Sequence, residues 1–262
     1  MPILGFGTYY SDNLNVYESV SCALKTGYRQ FDTAKWYNNE REVARAIKDS
    51  NINRNKLFIT CKIECKGFEE AIKDVNDTLN IFNTSYLDLI LIHWPTDNVI
   101  ETYKALEYLY EKKIAKAIGV SNFNQELCDY ILNMAKIKPQ INQIETHIYF
   151  QEKKMHKFLE ENNIYHEAWS QFGEGLINVF NDEVINKLSK QYNKSAAQIM
   201  LRFFIQKNII VIPRSSSEEH IKENFNVFDF AIDEEDINEI EKLDKKMQLS
   251  GWPTCMSIET KY

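Results

Sequence analysis

The chain has 262 residues, a hydrophobic content of 44%, and 31 Lys or Arg against 38 Asp or Glu, for a formal charge of −7. The length suits one large α/β domain or two small ones, and the apolar share is enough for a sizeable core. A net negative chain lacks the basic face that nucleic acid or an anionic membrane would select, and no apolar run approaches the roughly 18 residues of a membrane span, so neither partner is expected.

The chain opens on strand-like residues, Ile3–Gly7, rather than a signal segment. Further strands are expected to begin near Gln30, Phe58, Leu87, Ala117, Ile141, Tyr165 and Ile209. Amphipathic helices are expected between them, at Asn15–Thr26, Glu40–Asp49, Phe68–Asn80, Val99–Glu111, Asn124–Ala135 and Gln151–Asn162. Asn83 and Lys113 fall at helix-to-strand turns that call for a left-handed residue, a role Asn accepts better than Lys. The last gap is the longest and holds two helices, near Asp182–Tyr192 and Ser195–Gln206. A final helix is expected near Asp233–Leu243, where Asp233-Glu234-Glu235-Asp236 suits a helix N-terminus.

Eight strands alternating with helices predict a parallel sheet closed into a (β/α)8 TIM barrel, one domain over residues 1–262. The competing doubly wound dinucleotide fold lacks its fingerprint, since Gly5-Phe6-Gly7 is followed by Tyr10 where a third Gly would stand. The five cysteines, Cys22, Cys61, Cys65, Cys128 and Cys255, are scattered and form no CxxC pair. A reduced, cytoplasmic protein without a metal site is the expectation. Cys61 adjoins Lys62, which would lower its thiol pKa if they interact; strand alternation points it away from the barrel interior instead.

Polar residues close successive apolar runs: Asp32 and Tyr37 in Gln30-Phe31-Asp32-Thr33-Ala34-Lys35-Trp36-Tyr37, Lys62 in Ile59-Thr60-Cys61-Lys62, and His93 in Leu89-Ile90-Leu91-Ile92-His93. A carboxylate, phenol, amine and imidazole at neighbouring strand mouths make an acid–base site, with the amine expected to lower the phenol's pKa and the carboxylate to hold the amine. Taken singly, Tyr37 reads as a loop aromatic and His93 as a core histidine.

Together with Met1-Pro2-Ile3-Leu4-Gly5-Phe6-Gly7-Thr8, Gly27-Tyr28-Arg29-Gln30-Phe31-Asp32-Thr33-Ala34, Ile118-Gly119-Val120-Ser121-Asn122-Phe123, Asn142-Gln143-Ile144-Glu145 and Ile212-Pro213-Arg214-Ser215, these blocks resemble the aldo-keto reductases, in order, from Met1 to about Leu243. The resemblance implies reduction of an aldehyde or ketone to an alcohol. Hydride would come from NADPH, with NADH as a second cofactor, and Asp32, Tyr37, Lys62 and His93 would be catalytic, Tyr37 giving the proton. It implies that Ser121, Asn122 and Gln143 hold the nicotinamide carboxamide, though Ser121-Asn122 also reads as a turn cap. Trp169 would stack on the ring, and Ser170 to Gly175 would cover the pyrophosphate, with Gly173 and Gly175 allowing close backbone approach. Arg214, Ser215 and His220 would meet the 2′-phosphate, and Glu223 and Asn224 the adenine.

Tyr9, Trp36 and Trp94 would wall the substrate pocket. Glu64, where many relatives carry an aromatic residue, would make the pocket more polar or else lie in a solvated loop. A monomer acting on a small carbonyl compound is expected; a catalytically weak, cofactor-binding regulatory member is the alternative. Three departures stand out. Gln171 replaces a common Pro, which predicts a looser loop. The hairpin that usually precedes the first strand is absent from this sequence, which predicts a bare or differently covered barrel floor. Ser250–Tyr262 do not match the usual tail.

Overall fold

The computed structural model describes residues 1–9 and 16–249. Its strands are β1 (Phe6–Gly7), β2 (Gln30–Ala34), β3 (Phe58–Ile63), β4 (Leu89–Ile92), β5 (Ile118–Ser121), β6 (Ile141–Glu145), β7 (Tyr165–Trp169) and β8 (Ile210–Val211). They form one parallel sheet in the order β1 to β8. Leu4 bridges Val211, and the Val211 amide donates to the Ile3 carbonyl at 3.0 Å, which closes the last strand onto the first.

The helices are α1 (Val16–Thr26), α2 (Glu40–Asp49), α3 (Phe68–Phe82), α4 (Val99–Glu111), α5 (Gln125–Met134), α6 (Lys153–Glu161), α7 (Glu183–Tyr192), α8 (Ala196–Gln206), α9 (Glu218–Phe225) and α10 (Glu234–Glu241). All the expected strands and helices form, with ends shifted by a few residues. Asn83 and Lys113 are both left-handed, at φ 47° and 60°. Asn15, Tyr10, Cys255 and the Ser250–Tyr262 tail lie outside the described residues. α9 is an element that the apolar pattern did not disclose: at eight residues it buries little, and its start is set by Ser217, whose hydroxyl accepts from the His220 amide.

Alternation along each strand divides the core in two. Residues such as Phe31, Ile59, Ile90, Val120, Ala168 and Val211 face outward into the helices and form the main apolar cluster. The inward set is Gly7, Asp32, Lys62, Leu91, Gly119, Gln143, Glu167 and their like. At the end where the strands begin, Leu89, Leu91 and Ile141 are buried, with Phe58 and Ala117 partly solvated beside them. Cys61 faces outward and is buried against Glu40 and Thr78. Burial and the Glu40 carboxylate push its thiol pKa up, so proximity to Lys62 in sequence does not activate it.

Glycine at 119 is a packing requirement. A Cβ there would lie 2.4 Å from the Ile141 carbonyl oxygen and 2.8 Å from Leu91 Cδ2. The carbonyl belongs to the β5–β6 ladder and cannot retreat. Gly119→Ala is expected to destabilise the fold by about 1–3 kcal/mol through overpacking. An unchanged urea midpoint would show that the ladder yields more easily than its hydrogen bonds suggest.

Candidate active site

Each strand ends by presenting an inward residue at one mouth of the barrel, the face where (β/α)8 enzymes place their chemistry. Lys62, at the end of β3, is fully buried and ion-paired to Asp32 of β2, which is 1% exposed. Asp32 Oδ2 also accepts from Gln143 Nε2 at 2.9 Å, across the barrel. That same nitrogen donates to Glu167 Oε2 at 2.8 Å, and Gln30 Nε2 donates to Glu167 Oε1 at 2.7 Å. Beneath the mouth there is thus a buried ladder, Gln30–Glu167–Gln143–Asp32–Lys62. Burial, then the Asp32 charge, push the Glu167 carboxyl above the usual carboxylate range.

Glu167 and Gln30 were not singled out in the sequence. The signal was present: Glu167 lies two residues before Trp169 on one strand, so both point inward. A carboxylate on that face had to meet the amides opposite it.

Tyr37 lies in the short helical turn after β2. Its ring is 5.0 Å from Lys62 Nζ, close enough for the phenol and ammonium to interact. Lys62 does favour the phenolate, as expected. Burial outweighs it, however, and the phenol pKa is raised, not lowered. The Lys62 pKa is also raised, because Asp32 and Tyr37 together exceed the cost of burying the ammonium. The His93 ring is 5.6 Å from the Tyr37 ring.

Asp32, Tyr37 and His93 line a cavity of about 600 Å³, with Lys62 buried behind Asp32, within the range for small-molecule sites. Tyr9, Trp36 and Trp94 border it, with Tyr9 stacked on Trp36 at 5.9 Å. Ser121, Asn122, Gln143, Trp169, Ser170 and Arg214 line it too. Trp169 Nε1 donates to Asn122 Oδ1 at 2.8 Å, and Asn122 Nδ2 to the His93 carbonyl at 3.0 Å, so the side chains on β5 and β7 are held by their neighbours. Asn122 is itself left-handed, at φ 63°.

The loop after β7, named in the sequence reading from Ser170 to Gly175, brings Phe172 and Glu174 to the wall and adds Leu176, Ile177 and Phe180, which that reading missed. Their order carries no periodicity, and only the closed barrel brings the loop over the mouth. Gln171, where a looser loop was expected, lies within this loop. It is buried and its amide donates to the Ala168 carbonyl, tying the loop to its own strand. Of the two glycines, Gly173 packs against Ile177, which a Cβ would meet at 2.1 Å, while Gly175 has open space where its Cβ would be. Glu174, between them, ion-pairs with Arg214 at 2.9 Å and joins the loop to the end of β8.

The remaining expected residues do not border the cavity. Ser215 bonds to the Ser217 amide at 3.1 Å. His220 is exposed on α9. Glu223 accepts from Ser195 at 2.5 Å, and Asn224 is buried with no partner for its Oδ1 among the described residues. Glu64 is absent from the pocket wall and turns behind His93.

A deep cavity over a buried ammonium–carboxylate pair, a phenol and an imidazole, at the carboxyl ends of barrel strands, defines a (β/α)8 enzyme equipped for acid–base chemistry. The aldo/keto reductase family model matches residues 4–245, nearly the whole chain, and the chain belongs to that family. It is thus an NAD(P)H-dependent carbonyl oxidoreductase. It is similar to 9,11-endoperoxide prostaglandin H2 reductase of Trypanosoma cruzi (strain CL Brener), 37% identical over 97% of this chain and 91% of that protein. It is also similar to glyoxal reductase of Bacillus subtilis (strain 168), 39% identical over 97% and 92%. The crystal structure of MGS-M4, an aldo-keto reductase enzyme from a Medee basin deep-sea metagenome library, matches with a TM-score of 0.92 and 42% identity, over 95% of this chain and 93% of that one.

Proposed function

We propose that the chain is a single-domain, NADPH-preferring reductase of small aldehydes and ketones, with Tyr37 as the proton donor. The observation that carries this reading is the buried Asp32–Lys62 pair beside the Tyr37 phenol at the base of the cavity. A nicotinamide cofactor, when bound, supplies the hydride. The residues present suit such a group. Both Gln143 amide hydrogens are engaged by carboxylates, which leaves its oxygen to accept from a carboxamide. The buried Ser170 hydroxyl has no hydrogen-bond partner among the described residues, and Gly175 leaves the loop backbone open to approach.

A general acid must carry its proton before reaction and tolerate losing it. Burial keeps the Tyr37 phenol protonated at rest. Lys62, held cationic by Asp32, stabilises the phenolate left behind. The aromatic wall of Tyr9, Trp36 and Trp94 excludes water from the developing alkoxide and favours compact substrates. The likeness to glyoxal reductase supports two-carbon and three-carbon dicarbonyl compounds as the first probes. Free Cys22, Cys61, Cys65 and Cys128 suit a reducing compartment such as the cytoplasm.

The decisive test is loss of the reduced-nicotinamide absorbance with NADPH or NADH and a panel of aldehydes. Turnover with glyoxal or a related aldehyde supports the reading. Tight cofactor binding without turnover on any carbonyl favours a regulatory binding protein.

Among the described residues lining the cavity, Arg214 carries the fixed positive charge, so preference for the 2′-phosphate should rest on it more than on exposed His220. Arg214→Met is expected to weaken NADPH roughly 10- to 100-fold, the scale of a lost charge-assisted hydrogen bond, and NADH little. Glu174→Gln removes the competing carboxylate and should tighten NADPH. Fluorescence titrations of both cofactors check this, and equal losses for NADPH and NADH would show that Arg214 does not meet the 2′-phosphate.

A further inference from the structure

Glu64 stands two residues after Lys62, just past β3, and its carboxylate faces the back of His93. Its Oε1 lies 3.6 Å from His93 Nδ1. Both atoms are buried, and neither has a hydrogen-bond partner among the described residues. The His93 ring itself borders the cavity, which leaves Nε2 as the nitrogen available to a bound molecule.

The other groups around the imidazole come from three elements. Tyr37 and Trp36 follow β2, at ring separations of 5.6 and 6.2 Å, and Trp94 is 6.3 Å away. The charges are Lys62 on β3, which opposes imidazolium, and Asp32 on β2 and Glu64, which favour it. Burial outweighs them all and holds His93 below its ordinary pKa, so it is neutral near pH 7. Glu64 is held below the usual carboxylate range by His93 and is ionised there.

An ionised carboxylate only accepts hydrogen bonds. Facing Nδ1, it favours the tautomer with the proton on Nδ1 and a lone pair on Nε2. A carbonyl oxygen arriving at Nε2 would then meet an acceptor with an acceptor. We propose that Glu64 is a positioning residue that keeps the His93 proton on Nδ1, so that a carbonyl substrate is held only after His93 takes up a second proton at Nε2. This rests on the carbonyl-reductase reading above. In the bound state Nδ1–H donates to Glu64 and Nε2–H to the carbonyl oxygen. The proton is taken from solvent as substrate binds and is returned as the alcohol leaves; the proton transferred to product still comes from Tyr37. Glu64 thus sets the pH response of the enzyme and leaves its reaction the same.

Glu64→Gln tests this at nearly constant size. A glutamine amide donates to Nδ1, which places the proton of neutral His93 on Nε2, ready for a carbonyl oxygen. Proton–nitrogen correlation spectra of the imidazoles, with His93 assigned by its loss in His93→Gln, report the tautomer without any turnover. In the parent near neutral pH, His93 should be protonated on Nδ1, and in Glu64→Gln on Nε2. With saturating NADPH, parent kcat/KM for an aldehyde should fall by up to about tenfold per unit between roughly pH 6 and 8, as the protonated form is lost. Glu64→Gln should be nearly flat and overtake the parent at the alkaline end, while Glu64→Asp should keep the slope even if slower. A parent tautomer on Nε2, or the same slope in parent and Glu64→Gln, overturns the proposal. The tautomer switch in a parent that binds NADPH but reduces no aldehyde overturns the reductase reading and leaves the Glu64–His93 dyad standing.

Discussion

Tyr37→Phe is expected to lower carbonyl turnover by roughly 10²–10⁴-fold, the usual cost of losing a general acid, and to leave NADPH affinity nearly unchanged. The ring keeps its contacts with Tyr9 at 5.1 Å and His93 at 5.6 Å, so the cavity wall should hold its shape. Lys62 loses one acceptor but keeps Asp32. What disappears is the hydroxyl proposed to protonate a carbonyl oxygen. Because burial raises the Tyr37 pKa, the phenol stays protonated from about pH 6 to 8. A decline of the parent in that range must therefore come from another group, His93 being the candidate. Steady-state rates and a cofactor titration on parent and variant check the expectation. A variant within tenfold of the parent, with normal cofactor binding, would remove Tyr37 from its role.

Lys62→Met should cost stability as well as activity. The variant fills a similar volume but leaves Asp32 without its cation in a site where Lys62 is fully buried. Asp32 then shares only the Gln143 amide with Glu167, a second buried carboxyl. Removing one partner of a buried pair typically costs about 3–5 kcal/mol, or roughly 6–20 °C in melting temperature for a domain of this size.

The loss should depend on pH. Lys62 now opposes the upward shift of the Glu167 pKa, so its removal raises that pKa further. A carboxyl whose folded pKa lies above its unfolded value adds stability at low pH and loses it as pH rises through the folded pKa. Lys62→Met should therefore be closest to the parent near pH 5 and furthest from it near pH 8. Adding Asp32→Asn should restore much of the stability but no activity. Denaturant midpoints at two pH values decide this. A single variant within 1 kcal/mol of the parent at pH 8 would mean that water reaches Asp32.

Asp32, Lys62 and His93 were legible because each ends or follows an apolar run, and Tyr37 because the family resemblance covers the turn after Asp32. Strand alternation, applied to β7, places Glu167 beside Gln143, yet a glutamate in a short strand reads as solvated until the sheet is closed. Glu64 shows the opposite case. It lies outside the strand, where alternation no longer applies, and two opposed readings of it were equally consistent with the residues around it.

The amino-acid sequence by itself indicated the barrel, the order of its eight strands and, among the described residues, nine of ten helices. These follow from hydrophobic period and from turn residues, both of which are local. Tertiary structure alone decided the balance of charge and burial. It raised the Tyr37 pKa where the adjacent ammonium suggested the reverse, because desolvation depends on everything packed around a group. It also brought Glu174 to Arg214 and Glu64 to His93, since such pairings are set by where loops close over the barrel mouth, and no periodic pattern records that.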